Sequence, residues 1–327
     1  MSLMTWTGLG LVAAAPFIAE GLRRPMTTAR QKNAPGNIAE TPSGRTHYRW
    51  TGPKRGPIAV CIHGLSSPQY IFADTARALA ALGFRVLTYD LYGRGWSSRP
   101  RGKQDTDYFL RQLRDLLDHF GIDQPLTVVG YSMGGNLATA FAAEEGLNVK
   151  SLILMAPGGL NPVYNSPKDR LWTLPVLGDW LMPLFGGIAL RRELAREDSA
   201  PTVIPNLTER LASETRKRGY LPSLLSSRRH VLSKTLDEDH ATIRDYKTPV
   251  LAIWGREDGV IAISAMGTLA ALNPNARHVE LAKGTHNFPQ THPGRVAEIL
   301  KDFLGEQAAT PRRPSSPASE GPASRRF

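Results

Sequence analysis

An α/β fold, built on a mostly parallel central sheet flanked by helices and carrying an inserted helical cap, is predicted by three observations on the sequence. Short apolar runs of β-forming residues alternate with segments that space apolar residues at helical intervals. One junction between them, Gly130-Tyr131-Ser132-Met133-Gly134-Gly135, is a strand-to-helix corner framed by glycine. Between Gly159 and His240 the alternation stops, as expected for an insertion between two strands.

The elements follow in order. Ile58-Ala59-Val60-Cys61-Ile62 reads as a buried strand, and residues 72–82 as a helix that stops at Gly83. Residues 85–89 form the next strand. Residues 108–117 form an amphipathic helix ending near Gly121. Leu126-Thr127-Val128-Val129 leads into the corner, and residues 136–143 continue it as a helix. Strands at 149–155, 249–254 and 278–281 complete the series. Continuously apolar strands joined by helices belong to a parallel sheet covered on both faces, and such sheets hold ligands beyond the strands' carboxyl ends.

Chemistry gathers at those ends. Glycine on both sides of Ser132 avoids collisions between strand and helix, and the turn pushes the hydroxyl outward. The helix start leaves unpaired N–H groups beside it. A serine hydroxyl needs a base, and a base needs an orienting acid. Asp258 follows the 249–254 strand in Gly255-Arg256-Glu257-Asp258, with Glu257 as its rival. His286 follows the 278–281 strand, with His292 as its rival. The order nucleophile, acid, base therefore runs Ser132, Asp258, His286. Two N–H donors are expected to hold an oxyanion: that of Met133, after the serine, and that of Leu65, in the loop His63-Gly64-Leu65-Ser66-Ser67. His63 is expected to brace this loop, and Ser66 or Ser67 could cap the helix after it.

With the Asp90-Leu91-Tyr92-Gly93-Arg94-Gly95-Trp96-Ser97 segment, these motifs resemble the serine branch of the α/β-hydrolase superfamily. Within it the chain is similar to carboxylesterases and monoacylglycerol-lipase-like enzymes. The resemblance covers residues 45–158 and 245–304. It implies hydrolysis of a lipophilic carboxylic ester through an acyl-enzyme, with C–C bond hydrolysis, acyl transfer or perhydrolysis as alternatives on the same triad. A non-enzymatic small-ligand receptor is the alternative of another class, and a membrane-associated scaffold a further one. Asp90 reads as a structural turn residue and a second-choice acid. Serine at position 132, where haloalkane dehalogenases and epoxide hydrolases carry aspartate, argues against both of those activities.

Four regions are expected. Residues 1–35 are a hydrophobic segment and linker, residues 36–158 and 244–305 the core, residues 159–243 the cap, and residues 306–327 a disordered Pro/Ser/Ala-rich basic tail. Trp172, Trp180, Met182 and Phe185 are the expected apolar lining of an acyl pocket under the cap, unless they form the cap's own core. The net charge of +11, from 40 basic and 29 acidic side chains, favours a membrane surface over nucleic acid, for which no binding module is present. Residues 3–19 are uncharged and fit a membrane anchor or interfacial helix, a packed helix, or a cleaved signal. The basic residues after them, Arg23, Arg24, Arg30 and Lys32, point to a cytoplasmic rather than secreted enzyme. No metal-ligand spacing and no nucleotide loop occurs, so no metal or organic cofactor is expected. Cys61, the only cysteine, excludes an internal disulfide.

Overall fold

The computed structural model describes residues 3–161, 163, 166–197 and 202–309. Its centre is one eight-stranded sheet in the order β1-β2-β4-β3-β5-β6-β7-β8. The strands are β1 (Asn37–Thr41), β2 (Gly44–Thr51), β3 (Ile58–Ile62), β4 (Arg85–Tyr89), β5 (Leu126–Tyr131), β6 (Val149–Met155), β7 (Val250–Gly255) and β8 (Arg277–Leu281). From β4 to β8 every pairing is parallel. Strands β3, β5 and β7 are buried throughout, as expected of strands covered by helices on both faces. Cys61 is buried in β3, where desolvation pushes its thiol pKa up and keeps it unreactive.

The sheet opens with a feature absent from the sequence reading. Strands β1 and β2 form an antiparallel hairpin along the edge, and β2 pairs antiparallel with β4. Only β1's middle residue and two residues of β2 are buried, so neither strand carries a continuous apolar run. Among the helices, Thr106–His119 is capped by Asp105, which accepts from the Tyr108 N–H at 3.0 Å. It buries Phe109, Leu110, Leu113, Leu116 and Leu117, each stabilising the fold by roughly 1.5–3 kcal/mol relative to exposure.

The insertion between β6 and β7 is helical. Its last helix, Asp237–Asp245, packs on the core helices Met133–Glu145 and Ser264–Leu272. Neither Ser66 nor Ser67 caps the turn Gln69–Phe72, which starts after Pro68 without a side-chain cap. At the chain's start, Leu3–Gly21 is helical despite Pro16. Among the described residues, no helix is long and apolar enough to cross a membrane. This helix lies against the cap, where Trp180 donates to the Val12 carbonyl at 3.0 Å and Arg23 donates to the carbonyls of Thr215 (3.0 Å) and Pro183 (2.6 Å). The last helix runs from Pro293 through Ala309, past the expected start of the tail at 306. Residues 310–327 lie outside the described residues.

Candidate active site

Strand β5 ends in Tyr131, and Ser132 turns the chain into the helix Met133–Glu145 with φ 55° and ψ −122°. A β-carbon at Gly134 would come within 1.9 Å of the Ile62 carbonyl oxygen, and one at Gly130 within 2.4 Å of the Gly134 carbonyl oxygen. The two glycines are thus what lets helix, β3 and β5 meet at the serine.

The acid and the base arrive from the next two strand ends. Gly255 and Gly284 allow these loops to touch, since a β-carbon at Gly255 would lie 2.3 Å from the Gly284 carbonyl oxygen. Backbone bonds from Arg256 to Leu281 (3.0 Å) and Glu257 to Gly284 (2.9 Å) lock them together. His286 Nε2 accepts from the Ser132 hydroxyl at 3.0 Å, and its Nδ1–H donates to Asp258 Oδ2 at 2.8 Å. The N–H groups of Val260 and Ile261 donate to Asp258 Oδ1, both at 2.8 Å. The carboxylate side chain is 1% exposed and the imidazole 13%. Glu257 is exposed, and His292 pairs with Thr291 at 2.9 Å, away from the serine. The structure brings together Ser132, Asp258 and His286, in a chain that can move a proton off the hydroxyl.

Beside the serine, Met133 is the first residue of its helix, so its N–H is one of those without an intrahelical acceptor. The Leu65 loop lies directly opposite: a β-carbon at Gly64 would sit 3.6 Å from Ser132 Oγ. His63 holds that loop. Its Nε2 accepts from the Leu91 N–H at 2.8 Å, which leaves Nδ1–H to donate to the Gly64 carbonyl at 2.8 Å. Burial lowers its pKa to about 4, so the imidazole is a neutral brace.

A family model for the alpha/beta hydrolase fold matches residues 57–293. The chain belongs to the α/β-hydrolase family. It is 28% identical over 266 residues to a 2-hydroxy-6-oxononadienedioate/2-hydroxy-6-oxononatrienedioate hydrolase of Paraburkholderia phymatum, covering 80% of this chain and 91% of that one. It is 24% identical over 275 residues to the monoacylglycerol lipase abhd6-B of Xenopus laevis, covering 79% and 78%. Among solved structures, a thermophilic esterase from Thermogutta terrifontis superposes with a TM-score of 0.69 at 20% identity, covering 84% of this chain and 99% of that one.

This α/β hydrolase holds the 63–67 loop with residues to which sequence reasoning gave no role. Arg94 is fully buried and fans out: Nε donates to the Leu65 carbonyl (3.0 Å), Nη1 to Tyr92 O (3.0 Å) and Gln104 Oε1 (2.6 Å), and Nη2 to Ser227 Oγ on the cap (2.8 Å). Desolvation lowers its pKa to about 10, so it remains a cation at neutral pH. Tyr220, also from the cap, donates to the Ser66 carbonyl at 2.7 Å. Tyr131 steadies the base, donating to the His286 carbonyl at 3.1 Å with its ring 5.3 Å from the imidazole. Arg94 and Tyr131 lie within the motifs quoted above, but nothing local assigns them these roles, because Leu65, Ser227 and His286 lie far along the chain.

Asp90 is a hub rather than a second triad acid. It accepts from His47 Nδ1 (2.7 Å) and from the N–H groups of Gln69 and Trp96 (both 2.8 Å). Burial opposes its charge, but bonding to His47 and to the Gln69 N–H holds its carboxyl below the usual carboxylate range.

The cavity beside Ser132 and His286 holds about 80 Å³ and is walled by Leu190, Leu194, Leu207, Leu211 and Leu224 of the later cap helices. Glu193 and Arg228 line both it and an adjoining cavity of about 160 Å³. Trp172 and Met182 line only the adjoining one. Trp180 and Phe185 line neither. They turn toward the N-terminal helix, Trp180 bonding Val12 while its ring sits 6.4 Å from the 47%-exposed Phe185. The aromatic-rich start of the cap thus receives the N-terminal helix, and leucines in its more charged later half cover the serine.

Proposed function

We propose that the chain is a serine hydrolase that cleaves lipophilic carboxylic esters through an acyl-enzyme. The observation that carries this reading is the hydrogen-bonded series Asp258–His286–Ser132 opening into a leucine-walled cavity. His286 takes the hydroxyl proton as Ser132 Oγ attacks the ester carbonyl carbon, and Asp258 stabilises the resulting imidazolium. The N–H groups of Met133 and Leu65 receive the oxyanion. As the tetrahedral adduct collapses, His286 protonates the departing alcohol. Water then attacks the acyl-enzyme with His286 again as base, releasing the acid and restoring Ser132.

A membrane surface is the proposed source of substrate, approached through the N-terminal helix on the cytoplasmic side. Met4, Trp6, Leu11 and Phe17 of that helix are exposed, as are Leu174, Val176 and Phe185 of the adjoining cap. Exposed apolar side chains of this kind suit the headgroup–acyl boundary.

A second reading, C–C bond hydrolysis, is favoured by the dienedioate hydrolase relative. The deciding experiment compares turnover of p-nitrophenyl esters of graded chain length with turnover of 2-hydroxy-6-oxodienoates, for the wild type and Ser132→Ala. The ester reading expects turnover of medium or long acyl esters, abolished in the variant. Turnover confined to the dienoates would replace it with the second reading.

A further inference from the structure

A cluster of basic side chains lies away from the serine. A cavity of about 600 Å³ lies where the N-terminal segment, the sheet edge and the cap meet. Arg24 and Arg30 come from the N-terminal segment, Arg49 from β2, and Arg210, Arg216 and Lys217 from the cap. Two acids also line it, and both are committed. Glu214 accepts from Lys217 and from the Gly95 N–H (3.0 Å), and Asp90 is held by His47, Gln69 and Trp96. Among the described residues, the guanidinium groups of Arg24, Arg30, Arg49 and Arg216 have no carboxylate partner.

We propose that this cavity is a binding site for a phosphate-bearing anion, separate from the catalytic centre. Like charges gathered in a concave space repel one another, and an anion with several oxygens relieves that repulsion while engaging the planar forks of several arginines at once. Part of the site is already organised: the Arg210 guanidinium carbon stands 3.8 Å over the Tyr70 ring and Lys217 Nζ 5.3 Å over Trp96. At the buried wall, His47 is fixed through Nδ1, while its Nε2 has no hydrogen-bond partner among the described residues. The volume falls within the range of small-ligand sites.

One loop separates the two cavities. Gly64 to Ser67 face the serine, and Pro68, Gln69 and Tyr70 face the basic cavity. The ligand would bridge N-terminal segment, core and cap, and would raise the thermal midpoint of the full chain. Its phosphate could belong to a soluble ester or to a lipid headgroup at the surface approached by the N-terminal helix.

The test titrates the full-length protein, at low salt, with inorganic pyrophosphate and with vesicles of phosphatidylcholine containing phosphatidic acid. The wild type is compared with Arg49→Gln/Arg216→Gln and with a control of equal charge change, Arg55→Gln/Arg111→Gln, neither residue of which lines the cavity. Fluorophosphonate labelling reports that each protein is folded. The expected result is saturable binding that weakens roughly tenfold or more in the cavity variant and not in the control. Vesicle binding displaced by pyrophosphate would assign a headgroup, and pyrophosphate binding alone a soluble ester. Absence of saturable binding to either probe, or equal weakening in both double variants, would overturn the proposal.

Discussion

Ser132 occupies a backbone conformation, φ 55°, that a non-glycine residue adopts only when its surroundings hold it there. Met155 O accepts its N–H at 3.0 Å, and its own carbonyl accepts from Gly135 (2.8 Å) and Gly158 (3.2 Å). The serine is thereby held before substrate arrives, and the remaining task is orienting the base. Asp258→Asn should leave the fold intact and lower kcat on esters roughly ten-thousand-fold, because the amide cannot hold the required tautomer or stabilise the imidazolium. A loss under tenfold in steady-state assays would remove Asp258 from that role. Histidines buried as neutral groups set a pH response elsewhere. Burial lowers both His63 and His240 from 6.5 to about 4. Between those values the unfolded chain binds more protons than the folded one. Their contribution to stability is complete above about pH 6.5 and is lost as pH falls toward 4. His240 has no partner for either ring nitrogen among the described residues, so leucine can replace it. Urea unfolding of His240→Leu should show a pH 7 to pH 5 loss smaller by about 2 kcal/mol than that of the wild type; parallel losses would contradict this. At this scale the triad residues are legible because each follows a strand end. Arg94, Tyr131 and Tyr220 are not, since a buried polar side chain is recognisable only with its distant partners in view.

The elements that carry the site are those with the strongest periodic signals. Strands β3, β4 and β6 match the sequence reading residue for residue, because continuous apolar runs bounded by breakers have few other ways to be buried. The β1–β2 hairpin escapes that reading because its half-exposed strands present mixed polarity, and it is pairing with β4 that makes them strands. Helix and sheet meet most closely at the glycine-framed corner. Gly134→Ala would force a methyl group against the Ile62 and His63 carbonyls, and helix, β3 and oxyanion loop cannot all keep their positions. Denaturant titration should show a loss of roughly 3 kcal/mol or more, or failure to fold. A loss below about 1 kcal/mol would mean the junction is looser than its geometry indicates.

Across the whole molecule, the cap and the N-terminal helix are where sequence reasoning and structure part. Aromatic richness suggested that the start of the cap lines the acyl pocket. Trp180 and Phe185 instead meet another apolar helix, while Trp172 and Met182 line the cavity adjoining that of the serine, and which of two apolar surfaces finds the other is decided by tertiary packing. The composite surface leads to a prediction at its own scale. Trp6→Ser/Phe17→Ser should lower sedimentation with phosphatidylcholine vesicles roughly tenfold, since each exposed aromatic contributes about 1 kcal/mol or more at an interface, while turnover of a short soluble ester stays unchanged. Unchanged sedimentation would remove the helix from that role. The central claim, that three strand ends converge to activate one serine, is tested most directly by the rate and site of fluorophosphonate labelling. The account predicts a single adduct on Ser132, absent in Ser132→Ala and slowed roughly a thousand-fold or more in His286→Ala. An adduct on another residue, or labelling of Ser132 at an unchanged rate without His286, would contradict it.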